Sequence, residues 1–189
     1  MFKQLLLISL VSMVVNNFIG IKASSASPSA LSFVENDLVQ VDVKMLYGPW
    51  SIRASTVLPT DPKFSHNIYT QSSDGLLITK FNDTTSLGTA TLKPAPGGSR
   101  IWVADINYKG EPKQLRHQYP VYLDYDYRIV LVVRESDPKN PILEVYARPS
   151  VSYNREPIDE ILNKIQSNNS NIKKLIGDYV PKLHYVKSP

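Results

Sequence analysis

The apolar positions of this chain fall into short runs separated by turn chemistry, and only late into a helical period. SIRASTVL (51–58) stops at Pro59, HNIYTQ (66–71) at the turn SSDG, LLITKF (76–81) at NDTTS and GTATL (88–92) at KPAPGGS. RIWVADINY (100–108), QYPVYL (118–123), YRIVLVV (127–133) and ILEVYAR (142–148) follow, with KGEPK and DPKNP as the clearest turns between them. Eight runs rich in threonine, aromatic and β-branched residues, joined by loops short enough for antiparallel neighbours, predict eight strands. Strands at this spacing build a sandwich or a closed up-and-down barrel.

The period then changes. In NREPIDEILNKIQSNN the residues Ile158, Ile161, Leu162 and Ile165 share one helical face. Asn154 is the expected N-cap, Pro157 suits the first turn, and the run SNNSN is expected to end the helix. One amphipathic helix after eight strands lays its apolar stripe on the outside of the sheet.

The start of the chain is of another kind. Lys3, the apolar run Leu5–Val15 and the small residues of ASSASPSA have the order of a secretory signal peptide, with cleavage in Ala23–Ala26. A membrane span needs ~20 apolar residues, and Asn16–Asn17 interrupt this run too early. The expected organisation is a signal peptide over 1–26, a flexible segment over 27–38 and one domain over 39–189, secreted. Removing 1–26 takes Lys3 and Lys22 and no acidic residue, leaving 19 basic against 17 acidic side chains. With the cations scattered, no nucleic-acid footprint is indicated. No cysteine is present, which excludes disulfides, thiolate metal sites and a cysteine nucleophile.

Against that frame the stretch DVKMLYGPW resembles the first signature of the lipocalins, a short helix leading to Gly-x-Trp at the first strand, here Gly48 and Trp50. The Asp-Tyr pair that precedes the seventh lipocalin strand looks like Asp126–Tyr127, with Asp124–Tyr125 as a competing register and no preceding threonine in either. The arginine that closes the eighth strand looks like Arg148 in ILEVYARPS. The resemblance covers about residues 39–185, and the tail SNNSNIKKLIGDYVPKLHY is similar to that of the apolipoprotein D-like branch, with its bacterial and insect relatives. Where many members carry a cysteine that ties the tail to the barrel, this chain has Val180, so the tail is expected to be held by packing alone.

What the resemblance implies is an all-β fold, an eight-stranded antiparallel up-and-down barrel with one C-terminal helix packed outside. Trp50 would plug one end with Arg148 across its indole, and Gly48 would permit the close approach there. Function would then lie at the open end, partly lidded by the loop TVLPTDPKFSH. Tyr69, Trp102, Ile106, Tyr108, Tyr119 and Tyr122 are the residues expected to line a pocket. On the fifth strand the period places Trp102, Ala104, Ile106 and Tyr108 together, whereas family alignment favours Ile101 and Val103 inward.

His66, His117 and His184 show no ligand spacing, no nucleophile-elbow motif occurs, and neither a cofactor nor an enzymatic activity is expected. Asn82-Asp83-Thr84 and Asn168-Asn169-Ser170 are N-glycosylation acceptors in a eukaryotic host. The expectation is a secreted carrier of a small hydrophobic ligand, such as a fatty acid, sterol, retinoid, carotenoid or bilin. The alternative is a barrel filled by its own side chains that binds a protein or membrane. A receptor and the oligomeric state stay open.

Overall fold

In the computed structural model, which describes residues 35–58, 65–73, 75–82 and 85–186, every expected strand is present. They are β1 (Gly48–Ser55), β2 (Ser65–Ser72), β3 (Gly75–Asn82), β4 (Thr85–Pro94), β5 (Trp102–Tyr108), β6 (Gln114–Leu123), β7 (Tyr127–Arg134) and β8 (Asp137–Ala147). Each is antiparallel to its neighbour, and β1 pairs with both β8 and β2, so the sheet closes into a barrel. The expected signal peptide (1–26) and the middle of the lid loop (59–64) lie outside the described residues.

Several boundaries differ from the sequence pattern. Strand β6 starts at Gln114, earlier than its apolar run. DPKNP, expected as a turn, belongs to β8: the hairpin turns instead at Glu135–Ser136, and the register shifts between Val132 and Arg134. The irregular stretch accommodates Pro138 and Pro141, which cannot donate to a ladder.

β1 divides its partners. Its first half pairs with β2, Gly48 opposite Tyr69 through Ser51 opposite His66. Its second half pairs with β8, Ser51 opposite Ala147 through Ser55 opposite Glu144. There β2 has left the other edge, and a two-residue strand β9 (His184–Tyr185) takes its place, with Ala54 opposite Tyr185. The Val186 amide donates to the Arg53 carbonyl at 2.8 Å, and Tyr185 donates its hydroxyl to Asp159. The tail is thus held by a strand ladder and hydrogen bonds as well as by the packing expected in place of the cysteine.

α1 (Val43–Leu46) precedes β1, with Asp42 accepting from the Lys44 amide at 2.9 Å as its cap. α2 (Glu156–Asn168) lies outside the barrel; its N-cap position is Arg155 rather than Asn154, and no side chain caps it. The SNNSN run ends α2 but starts another helix. Asn169, extended, accepts from the amides of Asn171 and Ile172 and caps α3 (Ser170–Ile176). The helical part therefore has two segments where one was expected.

Two cores result. The outer one packs Ile158 and Leu162 of α2 and Leu175 of α3 on Ile129, Leu131 and Val145 of the barrel. Leu38 joins it at 1% exposure, and Glu35 accepts from Ser99 Oγ and the Arg100 amide, both at 2.6 Å. These two donors lower the Glu35 pKa. The stretch 35–38, expected to be flexible, is therefore strapped to the closed end of the barrel by a buried leucine and a bonded carboxylate. The inner core fills the lower barrel with Leu46, Trp50, Leu76, Leu92, Trp102 and Val130.

Candidate functional site: the barrel interior

The closed end is built on Trp50, which is fully buried and donates its indole N–H to the Leu46 carbonyl at 2.9 Å. The Arg148 guanidinium lies 3.9 Å from the centre of the indole. Its nitrogens donate to four carbonyls: Met45 at 2.7 Å, Tyr47 at 2.8 Å, Pro49 at 3.1 Å and Tyr125 at 3.1 Å. One planar group so joins α1, the start of β1 and the β6–β7 turn, a geometry that suits guanidinium and not ammonium. Gly48 has φ +90°, and a Cβ there would stand 3.5 Å from Arg148 Nη1. That is an ordinary contact distance, so what the glycine supplies is the left-handed conformation.

Above this floor the interior becomes polar. Arg128, 4% exposed, donates from Nη1 to the Tyr69 hydroxyl at 2.5 Å and from Nη2 to Gln118 Oε1. Tyr146 donates to Glu144 at 2.6 Å. Burial raises the pKa values of Tyr69, Tyr108 and Tyr146, which keeps all three phenols protonated at neutral pH.

Over these groups a cavity of about 430 Å³ opens to solvent at the end opposite Trp50. Its apolar wall is Ile52, Ile78, Ala90, Ala104, Ile106 and Ile142. At the mouth Lys80 and Arg116 share Glu111, at 2.5 Å and 3.5 Å, and the exposed Val57 and Leu58 reach over the rim. A volume within the ~300–1,000 Å³ of small-molecule sites, an apolar wall and a few buried polar groups are what a binding cavity needs.

No family model matches the sequence, and a comparison with curated proteins finds no match. Among solved structures, a biogenic amine-binding protein is similar with a TM-score of 0.54 at 14% identity, over 79% of this chain and 84% of that one. A complex of LTBP1 with leukotriene C4 gives 0.54 at 11% identity, over 81% and 92%. The bovine lipocalin allergen Bos d 2 gives 0.48 at 16% identity, over 77% and 95%. The chain shares its fold with the first two, a closed eight-stranded antiparallel barrel with helices packed outside.

Within this barrel the expected residues separate into two sets. Tyr69, Ile106 and Tyr108 line the cavity. Trp102 faces inward too, but lies in the inner core at the closed end. Ile101 packs on the outer core, so the period and not the alignment describes β5. Tyr119 and Tyr122 stand on the outside, a correction to the expected lining. Tyr119 is 1% exposed in the outer core, and Tyr122 packs against that core and donates to Asp124 at 2.6 Å. On β6 it is Gln118, with Gln114 and Arg116, that faces the cavity. The aromatic residues face outward because Leu38 and the helices make that side dry.

The second signature sits at the start of β7. Tyr127 opens the strand at 8% exposure, whereas Tyr125 is 77% exposed. Asp124 nevertheless shapes the turn, accepting from the amides of Asp126 at 2.8 Å and Tyr127 at 2.6 Å. Asn168 is exposed at the end of α2. Asn82 closes β3, and the rest of its sequon, Asp83 and Thr84, lies outside the described residues.

The histidines stay apart. His66 shares a 2.6 Å hydrogen bond with Ser51, His117 faces Glu135 at 3.2 Å, and His184 lies on β9. Sequence reasoning missed Arg128, Glu144 and Asn67. Arg128 did leave a signal, a lone cation inside the otherwise apolar run YRIVLVV.

Proposed function

We propose that this chain is a secreted lipocalin, of the apolipoprotein D-like branch, that binds and carries a small hydrophobic molecule in its barrel. Fatty acids, sterols, retinoids, carotenoids and bilins are the candidate classes. The observation that carries this reading is the cavity itself, about 430 Å³ with an apolar wall, open at one end and plugged by Trp50 at the other. Burial of a ligand there gains ~25 cal/mol per Å² of apolar surface. Two proteins that share the fold are described by small molecules, a biogenic amine for one and leukotriene C4 for the other.

The filled-barrel reading has one observation in its favour: Tyr69, Arg128 and Tyr146 occupy the middle of the barrel. The space left above them favours a carrier. Titration with N-phenyl-1-naphthylamine and with retinol, followed by probe fluorescence and by quenching of Trp50 and Trp102, should give micromolar or tighter saturable binding. Absence of binding by both probes sinks the carrier reading.

Secretion and glycosylation belong to the same proposal. Mass spectrometry of protein secreted by eukaryotic cells should find an N-terminus within residues 24–27 and glycans on Asn82 or Asn168. An intact Met1 on secreted protein would be the contrary result.

A further inference from the structure

Inside the barrel one cation stands apart from the others. Lys80 and Arg116 share Glu111, and Arg134 takes Asp137 at 2.8 Å, all near the mouth. Arg128 is the most deeply placed and has no carboxylate partner among the described residues. Its charge rests on two neutral acceptors, the Tyr69 hydroxyl and Gln118 Oε1. The rings of Tyr69 and Tyr146 lie 5.4 Å and 5.6 Å from its Cζ. A buried guanidinium without an anion is costly, and its five N–H donors exceed the two bonds made here.

Its neighbours show where an anion would come from. Tyr69, Gln118 and Tyr146 all line the cavity, so the guanidinium lies just beneath the cavity's lower wall. Among the described residues the one other carboxylate on the wall besides Glu111 is Glu144, which is engaged by the Tyr146 hydroxyl at 2.6 Å. Asn67, two residues nearer the mouth on β2 than Tyr69, has an Oδ1 with no partner among the described residues. That is an acceptor, suited to a hydroxyl and not to an anion, so the anion's place is below it. Ile78, Ala90, Ile106 and Ile142 give the same wall its apolar surface.

We infer that the cavity takes an amphipathic carboxylate bound head-down, its carboxylate on Arg128 beside Tyr69 and Gln118, its hydrocarbon chain along Ile78, Ile106 and Ile142. The inference rests on the carrier reading and narrows it, from apolar ligands in general to acids over alcohols and amines.

The test compares dodecanoate, dodecanol and dodecylamine as competitors of N-phenyl-1-naphthylamine at pH 7.4. Dodecanoate should displace the probe at a concentration about tenfold below that of dodecanol, as a charge-assisted hydrogen bond implies. In Arg128→Gln the preference of acid over alcohol should vanish. Should that variant fail to fold, wild-type protein with carboxyl-¹³C dodecanoate decides. Held by a guanidinium, the bound carboxyl should stay ionised to well below the usual ~4–5. A bound carboxyl that titrates in the usual range overturns the inference. So does a preference for dodecylamine, or one kept in Arg128→Gln and lost in Arg116→Gln, which would put the head group at the mouth. Equal binding of acid and alcohol refutes the head-down anion and leaves the carrier reading intact. Failure of the probe and all three competitors to bind removes both.

Discussion

Trp50→Ala is expected to cost about 4 kcal/mol of stability, the usual loss for emptying a buried aromatic site. In a domain of this size that lowers Tm by roughly 8–16 °C. The indole is wholly buried, so its removal opens a void between α1 and the inner core and leaves the Leu46 carbonyl without its donor. Thermal unfolding followed by circular dichroism measures the loss. A shift of only a degree or two would mean that the barrel floor collapses onto the void.

Arg148→Ala is expected to cost about 3 kcal/mol, or roughly 6–12 °C in Tm. The stacking on Trp50 goes, and four carbonyls lose a charged donor at once. Arg148→Lys should recover only part, since an ammonium has three donors and no planar face. Affinity for the naphthylamine probe should stay nearly constant, because Arg148 and the cavity occupy opposite ends of the barrel. Since the two side chains touch, the double variant should lose about 1–2 kcal/mol less than the sum of the singles. A normal melt with weakened ligand binding would instead assign Arg148 to the ligand.

The parts of this structure that were legible in the sequence are those with one dry and one wet face, or a motif. Eight apolar runs became eight strands, and Ile158 and Leu162 of the helical stripe face the barrel. Alternation on β5 placed Trp102, Ala104, Ile106 and Tyr108 inward because Asp105 and Asn107 alternate with Ile106 and Tyr108. On β7 that signal fails: seven successive residues are buried, since helices cover the outside while the core fills the inside. A strand dry on both faces has no alternation to read. β6 misleads for a related reason. Its outer side is covered and its inner side faces a polar cavity, so tyrosines point out and Gln118 points in; a bulge between Pro120 and Tyr122 then breaks the period. The cavity was therefore legible as a barrel end, and its charged interior was not.

The division of β1 between partners has a consequence for the order in which this chain emerges during synthesis. Strands β2 to β7 each find a neighbour adjacent in sequence, and can pair as they appear. The second half of β1 has no such neighbour. Its ladders are supplied by β8 and β9, and Arg53 meets the Arg148 carbonyl 95 residues later. Until β8 and β9 have been delivered, half of a buried strand near the start of the domain waits with a bare edge, the condition in which chains join one another. A product ending before Tyr185 would keep most of the barrel and still leave that edge unguarded.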